Sequence, residues 1–81
     1  MADQSLTDTL KYLGDISARM GQGRLDETYT TDLSALKIAI AYFNKILAAL
    51  GQGQVTDTST DELSALSIIA WCLSKFAKAM S

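Results

Sequence analysis

The sequence predicts an all-α domain of three helices built on a repeat of about thirty residues. Three observations carry that prediction. Gly21-Gln22-Gly23-Arg24-Leu25 returns thirty positions later as Gly51-Gln52-Gly53-Gln54-Val55. Leu33-Ser34-Ala35-Leu36 returns as Leu63-Ser64-Ala65-Leu66, and Thr28, Thr30, Ile38, Lys45 and Ala49 return as Thr58, Thr60, Ile68, Lys75 and Ala79. Between the glycines lie long runs of helix formers, and the chain has no proline to break them. A repeated unit of this size normally cannot bury its apolar face alone, so the copies are expected to pack together.

The first helix is expected over about residues 4–20, with Asp3 or Ser5 as its cap. Gly21 follows Met20, where a C-terminal glycine takes the left-handed conformation without a Cβ clash. Leu6, Leu10, Leu13 and Met20 share one face, and Ser17 interrupts it. A serine there is expected to bond back to the preceding turn and weaken the helix slightly. Gly14 inside the helix costs about 1 kcal/mol relative to alanine.

The second helix is expected over 31–50. Thr30, Thr31 and Asp32 supply cap oxygens and an early negative charge. Its inward stripe reads Leu33, Leu36, Ile40, Phe43, Leu47 and Leu50, alternating steps of three and four. The third helix is expected over 60–80, started by a capping box in Ser59-Thr60-Asp61-Glu62. By the same spacing its inward stripe is Leu63, Leu66, Ala70, Leu73, Ala77 and Met80, with Ile69 and Phe76 widening that face. The linkers, 21–30 and 51–59, are long for a bundle. Leu25 and Val55 are expected to pack down from them onto the core.

Eighty-one residues make a single domain, 1–81, with room for only a small core. One cysteine, Cys72, excludes an internal disulfide, and the absence of histidine removes the usual zinc and Ser–His or Cys–His constellations. The remaining supports are helix packing and self-association. An apolar fraction of 48% is high for so short a chain, and the excess is assigned to surface shared between subunits. The lone cysteine and an N-terminus unlike a secretory signal point to a reducing cytoplasm. The run Leu33–Leu50 is interrupted by Lys37, Asn44 and Lys45, and Leu63–Met80 by Lys75 and Lys78, so neither is expected to span a membrane.

No catalytic arrangement is visible, and the reading is not an enzyme. Cys72 sits at an internal helical position on the flank of the third helix, with no helix N-terminus or basic cluster nearby to activate it. Asp26, Glu27, Asp57, Asp61 and Glu62 lack calcium-loop spacing, and Gly-Gln-Gly lacks the lysine of a phosphate loop. No cofactor or metal is expected.

The candidate interface is the face of the third helix opposite its leucine stripe. Ile68 lies nearly opposite the stripe and Trp71 to one side, among Ser64 and Lys75; Ile38 repeats the position on the second helix. Tryptophan is enriched at interaction hot spots. The expected function is a non-catalytic protein–protein interaction module: a small self-associating accessory or inhibitor protein, a two-fold dimer by default, with Ile38, Ile68, Trp71 and Lys75 as contacts. A further protein partner is allowed. The alternatives are a small nucleic-acid-binding regulator or a membrane-surface-active helical protein. A net charge of −2 with no basic patch argues against nucleic acid, and nine- or ten-residue linkers are too long for a helix-turn-helix.

Overall fold

The computed structural model describes residues 4–55 and 61–79. Three helices pack compactly: α1 (Gln4–Arg19), α2 (Asp32–Leu50) and α3 (Glu62–Ala79). The radius of gyration is 12.1 Å, close to the roughly 12 Å of a compact chain this long.

Helix ends follow from local chemistry. The Thr31 hydroxyl accepts from the Ser34 N–H at 3.1 Å, capping α2. Gly51 takes φ +74°, with Gly51 N–H donating to the Ala48 carbonyl and Gln52 N–H to that of Leu47. Gly21, at φ +80°, closes α1 by the same pair of bonds, to Ala18 and Ser17. The cap of α3 is Asp61, whose carboxylate accepts from Ser64 N–H at 2.8 Å. The helix therefore starts later than the capping box implied. Ser59 and Asp3 lie outside the described residues, and Ser5 lies inside α1 instead of capping it.

All three helices run in the same direction. Thr7 near the start of α1 bonds to Tyr29 near the start of α2, at 2.8 Å. Lys45 in the second half of α2 donates to the Gln22 carbonyl just past the end of α1. Leu33 and Leu63, early in α2 and α3, border one hollow, and Phe43 meets Phe76 in a tilted contact with ring centroids 5.2 Å apart. Parallel neighbours require a return segment as long as a helix, which explains linkers of twelve residues, 20–31, and eleven, 51–61.

The helix with neighbours on both sides is α2. It packs against α1 and against α3, and α1 and α3 do not meet among the described residues. The stripe read for α2 holds: Ile40, Phe43 and Leu47 are buried, with Leu33, Leu36 and Leu50 partly so. Ala35, Ala39, Tyr42 and Ile46 widen the buried arc on the α1 side. Each fully buried aliphatic side chain contributes about 1.5–3 kcal/mol relative to exposure. By length and composition α2 is apolar enough to cross a membrane, a criterion that a core helix packed on two sides also meets. Burial on two sides gives that apolarity a role within this fold.

Ser17 is a second correction. It is fully buried, and its hydroxyl reaches forward to the Gly23 carbonyl at 2.7 Å, not back to the preceding turn. It ties the first linker to α1. Gly14 is buried too, and a Cβ there would come within 2.6 Å of both Arg24 Nη2 and Glu27 Oε2. The glycine gives these two side chains room to lie across α1.

Candidate interaction surface

The largest departure from expectation is the orientation of α3. Its buried residues are Ala65 and Cys72, with Ile68, Ile69 and Phe76 partly buried against the core. The leucine stripe expected to face inward faces solvent. Leu63 is 79% exposed, Leu66 51% and Leu73 51%, and Ala70 between them and Ala77 beyond them are also exposed. Met80 lies outside the described residues. Both faces of α3 are apolar at three-and-four spacing. Ala65, Ile69, Cys72 and Phe76 form the set that meets α2, because Phe76 fits against Phe43.

The four candidate contacts are consequently split. Ile38 on α2 and Ile68 on α3 are half-buried and pack against the core, where the sequence placed them outward. Ile68 borders a surface hollow of about 420 Å³ with Trp71, Ser67 and the linker residues Gln54 and Val55. Trp71 is 40% exposed, and Lys75 Nζ lies 5.2 Å from its ring centroid, a cation–π contact. Ile68, Trp71 and Lys75 are thus brought together beside the second linker. Ile38 is not among the residues lining that hollow.

A second apolar feature lies on the opposite flank of α3. Because α1 and α3 do not meet, a groove of about 390 Å³ opens between them over α2. Ile46 and Leu50 of α2, Ile16, Met20 and the exposed Tyr12 of α1, and Phe76 of α3 line it. On the helical wheel Phe76 and Ile69 lie between the core-facing line of α3 and its leucine stripe. Stripe and groove therefore form one continuous apolar surface. Its signal was present in the sequence as the stripe itself; only the side it faces was unreadable.

The polar groups serve the linkers. The Tyr42 hydroxyl accepts from Leu25 N–H at 2.9 Å and approaches Glu27 Oε2 at 2.5 Å and the Leu25 carbonyl at 3.3 Å. Burial, then the bond to Glu27, raises the Tyr42 pKa. Asn44 bonds Val55 in the second linker at both its N–H and its carbonyl. Arg24 bridges Asp15 at 2.6 Å and Glu27 at 3.0 Å on the surface, an exposed pair of modest value. Asp26 accepts from Thr28 N–H at 3.0 Å, which lowers its pKa. Cys72 is fully buried, and burial raises its pKa. No cluster of three or more Cys, Asp or Glu side chains suited to a metal occurs among the described residues.

Comparison with protein-family models, curated proteins and solved structures finds no match to this chain, so its functional reading rests on the chemistry of this surface.

Proposed function

We propose that this protein is a non-catalytic interaction module that associates with itself through the outward leucine stripe of α3. One observation carries the proposal: Leu63, Leu66 and Leu73 stand in solvent on one face, with Ala70 between them and Ala77 beyond. Scattered exposed apolar residues are ordinary, but a contiguous stripe continuous with an apolar groove marks an interaction site. The self-association inferred from composition is kept and its surface is reassigned, from the Trp71 flank to the leucine flank. Trp71 and Lys75 then serve to cover the second linker. In this reading the thirty-residue sequence repeat is one helix and one return segment, and the stripe of α3 is the face that α2 uses for its own neighbour.

The magnitude is moderate. Burying what the three leucines leave exposed contributes on the order of 3–5 kcal/mol per chain, and a two-fold contact counts that twice. Association costs about 4–15 kcal/mol. The favourable end of that balance, about −6 kcal/mol, corresponds to a weak dimer with a dissociation constant of tens of micromolar. Leu66→Glu and Leu73→Glu test the assignment. Each is expected to weaken the dimer at least tenfold in sedimentation experiments while leaving the helical circular dichroism intact. A mass unchanged by both substitutions contradicts the reading. Binding of a monomeric chain to lipid vesicles would transfer the stripe to the membrane-surface alternative.

A further inference from the structure

We propose that the groove between α1 and α3 binds one medium-chain fatty acid as its carboxylate anion, the hydrocarbon chain lying over α2 and the carboxylate held by Arg19. The proposal does not rest on self-association through the leucine stripe.

The shape of the groove argues for a single chain taken from solution. Leu13 and Ile46 line it and are buried, while Tyr12 at its edge is exposed. A floor recessed between two helices is open to a slender molecule and closed to the flat surface of a bilayer. The volume of about 390 Å³ lies at the small end of the roughly 300–1,000 Å³ of ligand pockets. From Tyr12 to Met20 the α1 wall runs about 12 Å, the length of roughly ten extended carbons. Apart from the Tyr12 hydroxyl and the Met20 thioether, the side chains lining the groove carry no polar atom. The bound segment is therefore hydrocarbon, and the head group is chosen at the mouth.

Charge at the mouth chooses an anion. The groove lies along the C-terminal halves of three parallel helices. Of these halves only that of α1 carries a carboxylate, Asp15; α2 has none after Asp32 and α3 none after Glu62. Asp15 stands one turn before Arg19, the spacing of a helical ion pair. Yet Asp15 is engaged from the first linker, by Arg24 at 2.6 Å. Arg19 is left exposed, with no carboxylate partner among the described residues. On the helical wheel it falls within about 20° of Tyr12, two turns further on, which places it on the groove side of α1. Other cations of this end are held elsewhere: Lys45 on the Gln22 carbonyl and Lys75 over the Trp71 ring. A guanidinium fork matches a carboxylate by two parallel hydrogen bonds. Helix C-termini oppose an anion. Here the turns at Gly21 and Gly51 already bond carbonyls of α1 and α2, so the full charge of Arg19 outweighs the partial charges that remain.

Titration with decanoate below its micelle concentration tests the assignment, followed by NMR and calorimetry. Saturable shifts are expected at Ile16, Met20, Ile46, Leu50 and Phe76, and none at Trp71. Arg19→Gln is expected to weaken binding about fivefold or more, with helical circular dichroism unchanged, and Arg19→Lys to weaken it less. Decylammonium, the same chain with a cationic head, should bind more weakly than decanoate by a similar factor. No saturable shift at millimolar decanoate overturns the site. Equal binding of the two amphiphiles, or of decanoate by Arg19→Gln and the unmodified chain, overturns the role of Arg19 and the anionic head group. Groove shifts that grow with protein concentration alone overturn the proposal in favour of a second copy in the groove. Binding to phosphatidylglycerol vesicles with no response to monomeric decanoate overturns it in favour of a membrane surface.

Discussion

Asn44 holds Val55 by both of its main-chain groups: Nδ2 donates to the Val55 carbonyl at 2.8 Å, and Oδ1 accepts from the Val55 N–H at 2.9 Å. This amide fastens the start of the second linker to the second half of α2. Asn44→Ala removes both bonds and is expected to cost about 1–2 kcal/mol in urea unfolding. Asn44→Asp keeps the acceptor and loses the donor, so it should fall between wild type and alanine. Hydrogen exchange at the Val55 amide should quicken in Asn44→Ala. Equal stability of all three proteins contradicts this role.

Tyr42 does the corresponding work for the first linker. Tyr42→Phe leaves the Leu25 N–H and the Glu27 carboxylate without their hydroxyl partner, at an expected cost of about 1–3 kcal/mol. The folded pKa of Tyr42 lies above its unfolded value, so the protonated phenol favours the fold. That contribution is fully present below pH 10 and is lost as pH rises through the folded pKa. Wild type should therefore lose stability more steeply than Tyr42→Phe above about pH 10. Parallel pH profiles for the two proteins would refute this.

Ser17→Ala should destabilise by about 1–2 kcal/mol, since the Gly23 carbonyl loses its donor. Ser17→Leu, which would complete the sequence stripe, should destabilise further, because the site is closed and an added side chain overpacks it. A Ser17→Leu protein more stable than wild type, measured by thermal unfolding, would return Ser17 to the status of a defect in the stripe.

Cys72 has no solvent access in the folded chain. A disulfide reagent should modify the native protein only at the rate of its opening, and modify the urea-unfolded chain at the rate of a free thiol. Rapid stoichiometric labelling in native buffer would show that α3 does not stay packed on α2.

Much of the fold was legible because it is written locally. Helix spans follow from three-and-four spacing, and their ends from Gly21, Gly51 and Thr31. The inward face of α2 was legible because only one continuous large-residue stripe exists there. The face of α3 was not. Of the face read as inward, its edge, Ile69 and Phe76, meets α2 beside Ala65 and Cys72, while Leu63, Leu66 and Leu73 do not. Periodicity reports that a face is apolar and is silent about which molecule covers it. Gly14 and Ser17 were read as blemishes in α1 because their partners, Arg24, Glu27 and Gly23, arrive only when the linker folds back. The parallel course of the helices was likewise hidden: the linker lengths permitted it, and the contacts of Tyr29, Lys45 and Phe76 establish it.

Sedimentation equilibrium on the unmodified chain and on Leu66→Glu/Leu73→Glu tests the central claim most directly. At about 100 μM the unmodified chain should give twice its 8.7 kDa mass, and the double variant the single mass with unchanged helicity. An unmodified chain that stays at the single mass at that concentration contradicts the claim, as does a double variant that still dimerises.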